Sequence, residues 1–470
     1  MIARLRSFFL RIKPILPAVI LGIGAILRIA GTGSSAIWFD ESNTVYRGHI
    51  PFMTLFTEHS ERSGDLFLEL LLRPLLAISD SVWMLRLPSM LAGLISLWLI
   101  WKLMRRLNFT LPQQIFASAL VACLPGLLWM AQDGRSYSLV TCLFLAALWF
   151  ALESQWLGLL AVCGLLIYTH STAAVYAAAA LLIALYLYPW KIRRIFFVGV
   201  LVAISWIPAI YRMLDYFIVQ QPWQPVLTLD WFLFATVQTI WPMPWPGYFA
   251  LYCSATLLVT LFLFASRIRA RGRIVLLLAW LVPYLLLILY CLVLKSNVIN
   301  YRTLFPVVLP FALWVGWELG TKRLLVHLPR LAWIWMLLLG LVLYDPSYRG
   351  ARLDQVANYI RSQWRTGDTL VYTTVTTGLP FDYYLSDLPH TWSPIVTEPY
   401  FLGISTITHT ELPTPTGDVS RSWVVIPYEK VLITPDEWAE LDELVHHQQP
   451  YFRMVYVQTA SIDIYLVEEP

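Results

Sequence analysis

The chain has 470 residues, of which 58% are hydrophobic, 15% aromatic and only 13% charged, with a formal net charge of +4. Soluble globular domains carry about 25% charged residues, so an ordinary soluble protein is excluded. A disordered chain is excluded too, because disorder requires low hydrophobicity. Glycine and proline follow no period, which removes collagen-like and low-complexity classes.

The charge is divided unevenly. Residues 1–345 hold 26 Lys and Arg against 13 Asp and Glu, a net of +13. Residues 346–470 hold 7 against 16, a net of −9, and the two sum to +4. The pattern predicts a polytopic α-helical membrane domain over 1–345, with outer loops at 32–85 and 213–247. It predicts a small soluble α/β domain over 346–470. The basic excess belongs to the membrane part, where it sets orientation, and gives no support for a nucleic-acid partner. Cys123, Cys142, Cys163, Cys253 and Cys291 all fall in apolar segments and read as small core residues. None lies in the tail, so no disulfide framework is expected there.

A helix needs about 20 apolar residues to cross a bilayer, and by that measure the chain offers about eleven spans. They centre near residues 22, 94, 122, 144, 162, 179, 203, 257, 284, 311 and 337. The first follows Arg4, Arg6, Arg11 and Lys13 and reads as an uncleaved anchor rather than a signal peptide. Four further basic clusters follow: Lys102 to Arg106, Lys191 to Arg194, Arg267 to Arg273, and Lys322 to Arg330. All five fall on one side, which the positive-inside rule makes cytoplasmic. Of the acids, only Glu153 and Glu318 share that side. An odd number of spans places the tail outside a multi-pass plasma (inner) membrane protein.

The first outer loop contains an amphipathic stretch, Leu66 to Ile78, suited to the membrane surface. The second is rich in tryptophan and proline, from Pro222 and Trp223 to Trp245 and Pro246. In the tail, Arg352 to Trp364 has a helical pattern. Asp368 to Tyr372 reads as a strand after the turn Thr366-Gly367, and Ser422 to Pro427 as another. Pro435 to His447 reads as a helix capped by Thr434. Tyr451 to Gln458 and Ile462 to Val467 read as a strand pair. No internal repeat is visible, which weakens an inverted-repeat transporter.

Three groups of residues carry chemistry. Trp38-Phe39-Asp40-Glu41-Ser42 places two adjacent carboxylates on the outer face, shortly after the first span. Carboxylates beside lipid are costly without a partner or a task, and Asp40 has the properties of a general base. Gln132-Asp133-Gly134-Arg135-Ser136-Tyr137 forms a short outer turn whose geometry would bring Arg135 toward Asp40. Lys295 to Arg302 (KSNVINYR) offers two cations, two amides and Tyr301 at the outer interface, which suits a phosphate headgroup. Arg28 near the end of the first span and His170 in a turn are weaker members. Each group also has a bland reading, as a helix cap, a tight turn or interfacial snorkelling.

No His/Cys ligand cluster has metal spacing. Asp40, Glu41 and Asp133 are the residues that would hold a divalent cation, if one were used. No nucleotide-binding glycine loop appears. Outward acids and cations on a lipid-embedded bundle suit glycosyl transfer from a lipid phosphate, with a carboxylate taking the acceptor proton and cations stabilising the departing phosphate. The alternatives are a polysaccharide polymerase or ligase, and a transporter or flippase of lipid-linked glycans.

Arg28 to Val45 (RIAGTGSSAIWFDESNTV) resembles the first-loop signature of the GT-C glycosyltransferases, in the branch of protein O-mannosyltransferases and the lipid A aminoarabinose transferase. Arg86 to Leu97, Gln132 to Leu139, Tyr168-Thr169-His170 and Tyr301 to Pro310 are similar to that family's later motifs and occur in its order. The resemblance implies Asp40 as catalytic base assisted by Glu41, and inversion at the sugar carbon. It implies Arg135, Lys295 and Arg302 around a polyprenyl phosphate; Tyr301 joins that set, and Arg28, Asp133, Tyr137 and His170 are the further candidate substrate contacts. The expected partners are therefore membrane lipids, a polyprenyl-phosphate-linked sugar and an extracytoplasmic acceptor. The sequence departs from the family at Ser63 to Leu68, where many relatives carry His-Pro-Pro-Leu-Tyr-Tyr, so contacts made by that run do not carry over.

Overall fold

The structure is a computed structural model. It describes residues 14–53, 65–219, 227–240, 270–294, 297–321, 330–331, 333–335, 353–372, 375–392, 421–427, 452–458 and 462–467. Lys295, the expected span near 257, most of that near 337, and the expected helix over 435–447 lie outside these residues.

In chain order the helices are α1 (Leu16–Ala30), α2 (Phe39–His49), α3 (Leu66–Leu76), α4 (Val82–Arg106), α5 (Leu111–Cys123), α6 (Pro125–Ala131), α7 (Tyr137–Leu152) and α8 (Trp156–Thr169). There follow α9 (Ala173–Leu187), α10 (Ile192–Val219), α11 (Leu229–Ile240), α12 (Arg271–Leu294), α13 (Tyr301–Leu304) and α14 (Val308–Leu319). The tail contributes α15 (Leu353–Gln363), β1 (Thr369–Tyr372), α16 (Val375–Leu385), β2 (His390–Trp392), β3 (Ser422–Pro427), β4 (Phe452–Gln458) and β5 (Ile462–Val467).

The chain divides into two compact units. One comprises Met1–Thr32, Ser63–Ala77 and Trp83–Asp345; the other comprises Gly33–Arg62, Ile78–Val82 and Pro346–Pro470. The first outer loop is thus shared, and α2 with its Asp-Glu pair groups with the tail.

The first unit is a helical bundle. Among the described residues, two helices are long and apolar enough to cross a membrane, or four when each bent pair counts as one span. Several other expected spans correspond to shorter apolar helices, such as Tyr137–Leu152 and Trp156–Thr169. One cause is visible at Pro125, where α5 and α6 meet at 54°. In an unbroken helix the Val121 carbonyl would accept from residue 125, and proline has no N–H to give. Arg28 supplies the missing donor. Its Nη2 donates to Val121 O at 2.9 Å, and its Nη1 to Gly24 O at 2.8 Å and Ala122 O at 3.5 Å. Gly24 makes the approach possible, since a Cβ there would lie 2.8 Å from the Ala122 Cα. Arg28→Met orphans the Val121 and Ala122 carbonyls inside the bundle. It should lower unfolding stability by about 3 kcal/mol, measured as thermal denaturation in detergent; an unchanged midpoint would remove Arg28 from this role.

The two acids on the basic side are both paired. Glu153 accepts from Arg106 Nε at 2.7 Å, and Glu318 meets Arg273 Nε at 2.8 Å in the interior. The expected loop over 213–247 is not wholly irregular, because α11 occupies 229–240 and α10 runs on to Val219. Apolar residues at helical spacing, with Asp230 in the first turn, account for α11.

The second unit is built on a five-stranded sheet of order β2-β1-β3-β5-β4. β2, β1 and β3 run parallel, and β3, β5 and β4 antiparallel. The strands expected at 368–372, 422–427, 451–458 and 462–467 match within a residue; α16 and β2 were not foreseen. Gly367, at φ +97°, makes the turn into β1 in a conformation that favours glycine. Asp368 locks that turn: it accepts from Arg365 N at 3.0 Å and Trp423 Nε1 at 2.9 Å, and meets Arg421 Nε at 3.2 Å. The core packs Val356, Ile360, Leu370, Tyr372, Phe381 and Trp423, with Phe39 of α2 against it.

Candidate active site

In the second unit, Asp40 and Glu41 occupy the first turn of α2, where the positive end of the helix dipole favours carboxylates. Trp38 caps the helix in an extended conformation, and its carbonyl accepts from Ser42 N at 2.9 Å. The preceding residue is also held, since Ile37 N donates to Tyr384 Oη of α16 at 2.8 Å. The pair is therefore anchored to the tail domain through Ile37 and Phe39, which precede it. Asp40 is half-buried and Glu41 fully buried. The two adjacent carboxylates sit in different environments: Asp40 is partly exposed and Glu41 is enclosed.

In the first unit, four chain segments converge around His170, in the turn between α8 and α9. Thr172 N donates to His170 Nδ1 at 3.2 Å, and the Thr172 hydroxyl lies 2.9 Å from the same nitrogen. Because Nδ1 accepts a backbone N–H, the ring proton belongs on Nε2, leaving Nε2–H as a donor. Burial pushes the His170 pKa down; Asp65 opposes this, while the Arg135 and Arg302 guanidiniums add to it. The imidazole is thus neutral at pH 7. Asp65, Arg135 and Arg302 are thus near enough for their charges to act on the ring. Tyr137 is buried, its ring centroid 5.2 Å from that of His170.

Each cation is positioned by its own segment. Gln132 Nε2 donates to Leu27 O at 2.8 Å and Arg28 O at 3.3 Å, tying the 132–136 turn to the end of α1. Ser89 Oγ of α4 donates to Arg135 O at 2.7 Å, and Ser138 Oγ to Ser89 O at 2.9 Å. Arg135 Nη2 lies 3.8 Å from Asp65 Oδ2. Asp133 is buried in the same turn. At the other segment, the Asn300 side chain accepts from Arg302 N and Thr303 N, both at 2.9 Å, and caps α13. Arg302 Nε donates to Tyr301 Oη at 3.0 Å, and its guanidinium lies 5.4 Å from the Tyr301 ring centroid. Trp231 Nε1 of α11 donates to Ile299 O at 2.6 Å, bracing the approach to α13.

The structure thus gathers Arg135, Tyr137, His170 and Arg302, with Asp133 in the same turn as Arg135. Asp40 and Glu41 lie in the other unit, and Arg28 is engaged with helix carbonyls. Sequence reasoning missed Asp65, Ser89 and Thr172 as parts of this site. Asp65 lay in the segment that departs from the family pattern, and Ser89 within the similar run Arg86 to Leu97. Thr172 sits two residues after His170, a spacing that favours side-chain bonding to backbone N–H. Among the described residues, no group of three His, Cys, Asp or Glu is arranged to hold a metal.

A neutral His170 has a consequence for stability. Its folded pKa is depressed, so below about 6.5 the unfolded chain binds the proton that the folded ring resists. Stability should fall as pH drops through that window, and His170→Gln should flatten this acid limb in thermal denaturation curves. An unaltered limb in the variant would contradict it.

Comparison with known proteins fits this geometry. Residues 66–211 match the family described as dolichyl-phosphate-mannose-protein mannosyltransferase. The fold is similar to the crystal structure of ArnT from Cupriavidus metallidurans in the apo state, with TM-score 0.61 and 11% identity over 96% of this chain and 97% of that one. It is equally similar to ArnT from the same organism bound to undecaprenyl phosphate, with TM-score 0.60 and 11% identity over the same shares. No curated protein matches in sequence. The chain thus has an ArnT-like fold, and its residues 66–211 carry the match to the mannosyltransferase family.

Proposed function

We propose that the chain transfers a sugar from a polyprenyl-phosphate donor to an extracytoplasmic glycolipid, polysaccharide or protein, with inversion at the sugar carbon. The observation that carries this reading is the grouping of Arg135, Arg302 and Asp65 about the neutral His170, with Arg135 Nη2 3.8 Å from Asp65 Oδ2. Two guanidiniums on separate segments offer paired donors suited to a phosphate that gains charge as its sugar departs. The likeness to ArnT bound to undecaprenyl phosphate supports a lipid-borne donor.

In the reaction, Asp40 accepts the proton of the acceptor hydroxyl. The acceptor oxygen bonds to the anomeric carbon opposite the leaving group. The carbon–oxygen bond to phosphate breaks, and its electron pair leaves with the polyprenyl phosphate. Arg135 and Arg302 stabilise that charge, His170 offers Nε2–H, and Tyr301 aligns Arg302. Glu41, enclosed beside the base, assists through local hydrogen bonds. Lys295 belongs to the same phosphate set by sequence. The N-terminus is cytoplasmic, about eleven spans follow, and the tail lies outside.

Proteoliposomes holding the full chain, labelled polyprenyl-phosphate sugar and candidate acceptors test the reading. The expected result is acceptor labelling with release of polyprenyl phosphate. Movement of intact donor across the bilayer without release would overturn it. A reporter fused after Pro470 should read extracytoplasmic; a cytoplasmic signal would refute the orientation.

A further inference from the structure

The far end of α8 from His170 borders a cleft outside the cluster described above. A groove of about 380 Å³ runs between α8 and α10, within the size range of small-molecule sites. α8 contributes Trp156 and Leu160; α10 contributes Arg193, Arg194, Phe197 and Leu201. Phe197 and Leu201 follow Arg194 by three and seven residues, so they extend along one face of the helix. The cations stand at one end of this face and the apolar side chains continue for about 10 Å beyond them. That is the profile of a charged headgroup above an acyl chain.

The charge at the mouth is one-sided. Lys191 Nζ lies 5.7 Å from the Trp156 ring centroid and 5.5 Å from that of Tyr188, which holds it at the rim. Arg193 and Arg194 are exposed and have no acidic partner among the described residues. The acid of the neighbouring turn, Glu153, is paired with Arg106 at 2.7 Å. Three cations therefore face outward beside an apolar cleft. His170 and its cations lie at the opposite end of α8, about 20 Å away by the helix rise, so the two sites do not overlap.

We propose that this groove binds one anionic phospholipid, with its phosphate on Arg193 and Arg194 and an acyl chain along Phe197 and Leu201. A membrane-side basic pocket between helices recognises such headgroups by charge, and the cleft supplies the apolar seat that a surface patch lacks. The bound lipid would brace the corner where α9 turns into α10 through Pro189–Lys191, a pair of helices bent by 115°.

The test uses the full-length protein purified in detergent, with retained lipid read by native mass spectrometry. Phosphatidylglycerol should be retained in preference to phosphatidylcholine. The double variant Arg193→Gln/Arg194→Gln should bind it about 30-fold more weakly. Leu160→Trp, which fills the groove and leaves both arginines, should also displace it. Equal retention of phosphatidylcholine, or wild-type retention by both variants, would overturn the proposal. So would displacement by inorganic phosphate alone, which would make the cations a free-anion site. Displacement of phosphatidylglycerol by undecaprenyl phosphate at equal concentration would assign the groove to the polyprenyl lipid instead.

Discussion

Asp40→Asn should reduce sugar transfer by about 10²- to 10⁴-fold, the contribution of a positioned general base. The substitution preserves shape and removes only the ability to take a proton. The helix that carries it should survive, because Trp38 O, Tyr384 Oη and the Phe39 ring also hold α2. Polyprenyl phosphate binding should be unchanged, since the proposed phosphate set of Arg135 and Arg302 does not include Asp40. Transfer by proteoliposomes, measured beside donor binding and thermal stability, separates these effects. Full activity in the variant would remove Asp40 from proton transfer. Loss of donor binding along with activity would point to a structural role.

Arg302→Ala should weaken donor lipid binding by about 10- to 100-fold, the range for losing a hydrogen bond to a charged group. Asn300 fixes the backbone of Arg302 and Tyr301 fixes its guanidinium, so its fork is held before the ligand arrives. Preorganisation of this kind is what makes a cation effective toward charge that develops during reaction. Arg302→Lys should recover part of the binding and little of the rate, because it restores charge without the two-pronged geometry. Tyr301→Phe should show a smaller loss of the same kind. Titration of the variants with polyprenyl phosphate decides the matter; affinity equal to wild type would place the phosphate elsewhere. Together with Asp40→Asn, these variants divide the reaction into proton removal and leaving-group stabilisation.

Much of this was legible because it depends on local pattern. Periodic apolar runs predicted the helices, and Thr366-Gly367 with the apolar runs at 369–372 and 422–427 predicted the turn and two strands. The charge step at residue 345 separated tail from bundle in composition. Other features were hidden because they depend on partners distant in sequence. Arg28 looked like an outward cation at a span end, and nothing in α1 announces the carbonyl that Pro125 leaves open on α5. Asp65 looked like one more loop acid until folding set it beside Arg135. The helix over 229–240 was masked by the tryptophans and prolines flanking it. The 375–385 helix was missed because Gly378 and Pro380 interrupt its periodicity.

Sequence by itself determined that this is a membrane protein with an acidic tail, which residues are able to do chemistry, and the family those residues resemble in order. Composition and spacing suffice there, because bilayer insertion and motif chemistry are properties of short segments. Tertiary structure alone decided which charges meet. It drew Arg135, His170 and Arg302 together from three separate segments, attached the Asp40 helix to the tail's core, and assigned Arg28 to a broken helix. The reason is physical: a buried charge must find its partner in space, and chain order does not specify that partner.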